Sequence, residues 1–309
     1  MENRIPVVLA SDNNQVHAMA TVIGSVLQVA KPETAYDFFC LIADDVSAEN
    51  RARLLECQTR KNSVTLVDMK PWIEPLHLQY HKISGLGHSI STPTLYRILI
   101  PSILSKFNKA IYLDTDVVCL HDLKTLFEQE IGENLLAGVP AVWTVKKCNR
   151  EHWMRAGFPN LDSYINCGVL LLNLDLMRRL EIERKCLDLM TKTQLLSLDG
   201  DQAVLNFACL NKISFIPLRY NVTTSHLKHS ERMPIFFTKR EVMGACDDPC
   251  IFHWTGALKP WKYYDVPLAH IWWKFYRKSP FADVPLARIS QSDYCSRIFK
   301  SLKGFFKID

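Results

Sequence analysis

Ile5-Pro-Val-Val-Leu-Ala10 is an unbroken apolar run that stops abruptly at Ser11-Asp-Asn-Asn14. Six apolar residues suit a buried strand, and they are too few for the hydrophobic stretch of a secretion signal. From Gln15 to Ala30 the period changes, and Val16, Met19, Ala20, Ile23, Val26 and Leu27 recur close to every 3.6 residues, the stripe of a covering helix. Phe38–Ile42 and Val64–Val67 read as two further strands, and between them Ser47–Gln58 opens with a Ser able to cap a helix. Strand, helix, strand, helix, strand in this order predicts an α/β fold, a parallel sheet covered by crossover helices.

Further along, Ala110–Leu113, Tyr164–Leu174, Ile213–Ile216 and Ile251–Thr255 read as strands and Ser197–Asn211 as a helix. From residue 257 the chain becomes rich in Trp, Tyr, Lys and Arg and is punctuated by Pro260, Pro267, Pro280 and Pro285. We therefore divide it into 1–256 and a C-terminal region, 257–309.

At 48% hydrophobic and 22% charged residues, the 309-residue chain is no disordered protein. Neither a repeat nor a run of some 18 apolar residues occurs, which predicts a cytoplasmic protein, soluble or peripheral to a membrane. The net charge is +5, but residues 257–309 hold ten Lys/Arg against four Asp/Glu while residues 1–256 hold 27 against 28, so the basicity belongs to the C-terminal region. Ten scattered cysteines show no disulfide framework, and Cys246/Cys250 lacks the second pair that a zinc site requires. Phosphate loops and dinucleotide fingerprints are absent, since Gly85-Leu-Gly87 has neither a third glycine nor a preceding strand.

Two segments carry chemistry. In Ile111-Tyr-Leu-Asp114-Thr-Asp116-Val-Val118 two carboxylates follow the buried end of a strand. Alternation sends them to one side and Thr115 to the other, at the sheet edge where α/β proteins bind ligands. They are either a hard divalent cation site, Mn²⁺ or Mg²⁺ gripping a diphosphate, or a solvated acidic turn. Phe252-His253-Trp-Thr-Gly256-Ala-Leu-Lys259-Pro-Trp261 then supplies an imidazole, a glycine and a cation that would complete such a site.

With these segments the chain resembles the family 8 glycosyltransferases, over roughly residues 5 to 265. The resemblance rests on Ala10-Ser-Asp-Asn-Asn14, Tyr96-Arg97, Tyr112-Leu-Asp-Thr-Asp116, Tyr164-Ile-Asn-Cys-Gly-Val-Leu-Leu-Leu-Asn173, Gly200-Asp-Gln-Ala-Val-Leu-Asn206 and His253–Trp261, in that order. It implies a single Rossmann-like domain of the GT-A type with a mixed, mostly parallel sheet, a small helical extension, and a retaining transfer of hexose from UDP-glucose or UDP-galactose to a saccharide acceptor such as lipopolysaccharide core. It also implies roles. Asp114, Asp116 and His253 would hold Mn²⁺; Ala10, Asp12 and Asn14 would meet uracil and ribose; Thr115 would line the donor site; Arg97 and Lys259 would meet diphosphate and sugar. Gly256 would offer backbone to phosphate, and Asn166, Asp201 and Gln202 would grip the sugar, with Gln202 near the reactive carbon. The resemblance would also place His88 in the same pocket, whereas Pro140 stands where the family often has an acidic residue, so the family's acceptor contacts do not carry over directly to 140–145.

Front-face displacement fits this set better than a covalent intermediate on Gln202 or Asp201, because an amide is a poor nucleophile. A nucleic-acid binder using Trp272-Trp-Lys-Phe-Tyr-Arg-Lys278 lacks a basic groove in residues 1–256. A phosphoryl-transfer enzyme lacks a phosphate cradle near the first strand. His77/His81 and His226/His229 read as loop histidines. Finally, Ile298, Leu302, Phe305 and Phe306 recur at helical spacing beside Arg297, Lys300, Lys303 and Lys307, the pattern of either an anionic-membrane anchor or a docked C-terminal helix.

Overall fold

The computed structural model describes residues 4–76, 92–142, 150–192, 195–228 and 236–286. The His77/His81 pair, Gly85 and Gly87, His88, His229 and the basic stretch 294–309 lie outside them.

Strand β1 (Ile5–Ser11) pairs in parallel with β2 (Tyr36–Ile42), and β2 with β3 (Ser63–Asp68). On its other side β1 pairs in parallel with β4 (Lys109–Leu113), Val8 standing opposite Tyr112. Then come β7 (Ile165–Asn173), β6 (Leu136–Pro140) and β8 (Ile213–Phe215), giving the order β3-β2-β1-β4-β7-β6-β8. Strand β7 runs antiparallel to both neighbours, so the sheet is mixed and mostly parallel. A second sheet stacks β5 (Val117–Cys119), β10 (Ile251–His253) and β9 (Val222–Thr223) in the order β5-β10-β9.

Every residue of β1 is buried, Val7 and Leu9 in one hydrophobic cluster and Val8 and Ala10 in another. That two-sided burial is why its sequence is apolar throughout and not alternating. Helix α1 (Val16–Val29) covers the first face, and Ser47 caps helix α2 (Ala48–Leu55) by accepting from the Asn50 amide at 3.2 Å, as its sequence suggests. The helix read over Ser197–Asn211 spans Leu195–Ala208 and is broken at Asp199 and at Gly200, whose φ of +62° favours glycine. Strands β5, β6 and β9 are not evident from the sequence: two are under four residues long, and β6 contains Gly138 and ends on Pro140.

The C-terminal region packs against α1. His17 meets the rings of Trp261, Trp272 and Tyr276 edge-on, at centroid distances of 5.7, 6.2 and 6.3 Å. Trp272, Phe275 and Tyr276, the aromatics that resemble a stacking platform in the sequence, are thus buried in the core. Among the described residues no helix is long and apolar enough to cross a membrane.

Candidate active site

The order of strands reverses beside β1, and the carboxyl ends of β1 and β4 open there into a crevice, the place where open α/β sheets bind ligands. Asp114 follows β4, Asp116 precedes β5, and His253 ends β10, so the junction of the two sheets brings the three together. One ligand atom from each lies within 4.8 Å of the others. His253 Nε2 stands 3.0 Å from Asp116 Oδ1 and 4.0 Å from Asp114 Oδ2.

Each carboxylate is held from behind. Tyr112 Oη donates to Asp114 Oδ1 at 2.7 Å, and burial keeps that hydroxyl protonated by pushing it far above its usual range. Burial alone would raise the Asp116 carboxyl, but Lys259 and His253 together hold it well below the usual carboxylate range. Lys259 Nζ donates to Asp116 and, at 2.7 Å, to the Trp254 carbonyl, so among the described residues one of its three protons is left for a ligand. His253 is buried, and its Nδ1 lies 2.9 Å from Asn221 Oδ1.

Two hollows flank this cluster. The first, about 200 Å³, is lined by Ala10, Ser11, Asp12, Gln15, Pro93, Tyr112, the Asp114-Thr115-Asp116 turn and Lys259. Thr115 points away from the metal side, its hydroxyl donating to Gln15 Oε1 at 3.2 Å. The second, about 320 Å³, has an apolar wall of Val139, Pro140, Ala141 and Val142 facing a polar wall that includes Asn166, Asp199, Gln202, Asn221 and His226. Asp114 and Asp116 border both, so a ligand spanning the hollows passes over the candidate metal centre.

Three residues fall outside the hollows. Asn14 is exposed on the turn after β1, while its neighbour Asn13 accepts from the amide of Ser47 and the side chain of Asn50, tying that turn to α2. Arg97 and Asp201, expected to touch diphosphate and sugar, are both buried and paired with each other, Arg97 Nε lying 2.7 Å from Asp201 Oδ2. Arg97 also stands 3.5 Å from Asp114 and donates to the Cys167 carbonyl, so it braces the metal side from beneath. Burial lifts the Asp201 carboxyl to about 6 against the pull of Arg97, with Asp114 adding to the rise. Gly256, bordering the second hollow, has a φ of +76°, and a Cβ there would meet nothing within 4 Å, so its conformation and not crowding calls for glycine.

Sequence reasoning missed Gly168, Asp199, Asn221 and Thr223. Asp199 lines the second hollow, where it accepts from Tyr164 Oη at 2.8 Å and from Gln202 Nε2. A Cβ on Gly168 would stand 2.3 Å from His253 Cε1 and 2.7 Å from Asp114 Oδ2, so these two side chains fill the space a side chain would take. His226, read as a loop residue, is buried on the short helix Thr224–Lys228, with Nδ1 accepting from the Thr223 amide at 2.9 Å. Burial, with help from His253, lowers its imidazole to about 4.

The profile of glycosyl transferase family 8 matches residues 6–265. Glycosyltransferase GlyE of Streptococcus pneumoniae is 29% identical over 202 residues, 63% of this chain and 43% of that protein, so this chain spans less than half of GlyE's length. A lipopolysaccharide 1,2-glucosyltransferase of Escherichia coli is 26% identical over 284 residues, 89% of this chain and 78% of that one. Among solved structures, galactosyltransferase LgtC in complex with donor and acceptor sugar analogues superimposes with a TM-score of 0.74 at 22% identity, covering 91% of this chain and 98% of that one, and shares the GT-A fold. With the profile matching most of its length, the chain belongs to glycosyl transferase family 8.

Proposed function

We propose that the protein transfers a hexose from UDP-glucose or UDP-galactose to a saccharide acceptor with retention of anomeric configuration, using Mn²⁺, or Mg²⁺ in its place, held by Asp114, Asp116 and His253. The observation that carries this reading is the convergence of the three candidate ligand atoms, with Asp114 and Asp116 on the border between two hollows and His253 lining the second. Two carboxylate oxygens and an imidazole nitrogen suit a divalent ion of this kind, and the side-chain-free space at Gly168 is what lets them converge. When bound, the ion would neutralise the diphosphate and stabilise the charge of departing UDP.

The chain's own residues do the rest. Ala10 and Asp12 receive the nucleoside in the first hollow, and Lys259 offers its remaining proton to the diphosphate. Asn166 and Gln202 face the hexose in the second hollow, while Arg97 and Asp201 fix the floor on which Asp114 stands. The acceptor hydroxyl then attacks from the face that UDP leaves, and a β-phosphate oxygen takes its proton. The relatives that act on lipopolysaccharide point to an acceptor of that class, and the basic residues beyond 286 suit an anionic membrane surface.

The test combines UDP titration with and without Mn²⁺ and product analysis using both UDP-sugars and truncated lipopolysaccharide acceptors. The parent is expected to bind UDP far more tightly with Mn²⁺ and to give a product of unchanged anomeric configuration, and Asp116→Asn is expected to lose the Mn²⁺ effect. An Asp116→Asn protein whose UDP binding stays as metal-dependent as the parent's overturns the metal assignment.

A further inference from the structure

Between the sugar side and the metal side of the site runs an unbroken chain of hydrogen bonds among buried and half-buried amides. The Cys167 amide donates to Gln202 Oε1 at 2.8 Å, and the Gly168 amide donates to Asn166 Oδ1 at 3.0 Å. Asn166 Nδ2 reaches Gln202 Oε1 at 3.2 Å, Asn221 Nδ2 reaches Asn166 Oδ1 at 2.7 Å, and Asn221 Oδ1 stands 2.9 Å from His253 Nδ1.

The ends of a side-chain amide are assigned from what surrounds them, and here two backbone groups make the assignment unique. A peptide N–H can only donate, so the atom of Asn166 facing Gly168 is its oxygen and the atom of Gln202 facing Cys167 is its oxygen. The Asn221 atom facing Asn166 Oδ1 is then a nitrogen, its other end is an oxygen, and the ring nitrogen of His253 beside that oxygen carries a proton. Asn221 is wholly buried and His253 nearly so, and a reversed Asn221 amide would set its oxygen against Asn166 Oδ1 where buried polar groups must be paired.

We propose that Asn221 is a positioning residue: oriented through Asn166 by the Gly168 amide of β7, it compels His253 to keep its proton on Nδ1 and present the Nε2 lone pair to the metal. This rests on the metal-dependent reading above. The same chain couples the two halves of the site, because a change at Asn221 disturbs His253 at one end and, through Asn166, Gln202 at the other.

The direct test is the nitrogen-15 spectrum of histidine-labelled parent protein loaded with Mg²⁺, in which His253 is expected to be protonated on Nδ1 and metal-bound on Nε2. The opposite pattern overturns the proposal alone, whereas a parent that binds neither Mg²⁺ nor Mn²⁺ overturns the metal reading with it. Variants add a split that a merely structural role would not produce. Asn221→Ala, titrated with Mn²⁺ alone, is expected to bind it 10- to 100-fold more weakly. Asn221→Asp keeps an acceptor for His253 but loses the donor to Asn166, so it is expected to hold Mn²⁺ at least as tightly as the parent while its turnover number falls about tenfold or more. Equal losses of Mn²⁺ affinity in both variants, or parent-like affinity in Asn221→Ala, would refute the coupling.

Discussion

Gly168→Ala tests the whole site with one methyl group. The added Cβ would lie 2.3 Å from His253 Cε1, 2.7 Å from Asp114 Oδ2 and 3.0 Å from His253 Nδ1. Carbon atoms in contact settle at about 3.5–4.0 Å, so His253 would have to retreat by roughly 1.2 Å or more. Neither neighbour is a floppy side-chain end. The His253 ring is pinned by Asn221, and the Asp114 amide donates to the Gly168 carbonyl at 2.8 Å, so β7 and the ligand turn move together. Metal–ligand distances tolerate only about 0.2 Å, several times less than the displacement. We expect Mn²⁺ affinity to fall by at least the roughly 10- to 100-fold typical of disturbed ligand support, with a loss of about 1–3 kcal/mol in folding stability from overpacking. Gly244→Ala is the control, since its Cβ meets nothing within 4 Å on the helix Lys239–Asp247 and Ala should stabilise that helix by about 0.5–1 kcal/mol. The assay is titration with Mn²⁺ alone, alongside thermal unfolding of both variants. A folded Gly168→Ala protein binding Mn²⁺ within twofold of the parent would mean that these three residues are not the ligand set.

Two further outcomes are expected. Gln202→Ala removes an amide that faces the second hollow and not the first, so steady-state kinetics should show a turnover number lowered far more than UDP affinity, and an equal loss of both would move Gln202 to the nucleotide pocket or to folding. His17 is buried among Trp261, Trp272 and Tyr276 with no hydrogen-bond partner for Nε2 among the described residues, and burial lowers its imidazole to about 4, Asp12 opposing. Above pH 6.5 neither folded nor unfolded chain protonates it; as pH falls from 6.5 to 4 the unfolded chain takes up the proton and the folded one does not. Stability is therefore lost across that window, by roughly 2–3 kcal/mol at pH 4.5 from this residue. His17→Phe keeps the ring contacts and removes the titration, so denaturant unfolding at pH 7 and pH 4.5 should show a smaller difference than in the parent; an unchanged difference would place the acid sensitivity elsewhere.

What the sequence made legible follows from where each signal resides. β1, α1 and β2 are readable because local periodicity and burial agree: the run Ile5–Ala10 is buried on both faces and contains no polar residue. The candidate ligands Asp114, Asp116 and His253 are legible as chemistry, because carboxylates after an apolar strand demand a partner. Asn221 and Gly168 are not. A lone Asn in Leu218-Arg-Tyr-Asn-Val222 gives no hint that it faces His253, 32 positions later, and the crowding around Gly168 exists only once β7 lies beside both ligands. The burial of Arg97 is not legible either: the resemblance implies contact with diphosphate and sugar, whereas in the fold its guanidinium is buried between the half-buried Asp114 and the buried Asp201.

The same topology explains why the site stands or falls with the contact between the two sheets. Asp114 belongs to the large sheet through the bond from its amide to the Gly168 carbonyl, while Asp116 belongs to the small one, its carbonyl accepting from the Trp254 amide at 3.0 Å. Only Thr115 separates them, so the turn is clamped from both ends. His253 reaches them on β10, whose neighbour β9 follows directly after Asn221, so that pairing of the two strands, with His253 opposite Thr223, brings Asn221 to His253. Trp254, the residue after the ligand, is wholly buried and bonds through Nε1 to the Pro267 carbonyl at 2.8 Å, and from there the chain leads into the aromatic cluster on α1. The C-terminal region is therefore part of what holds His253 in place, and the lysine expected to meet the diphosphate, Lys259, sits on the segment between them.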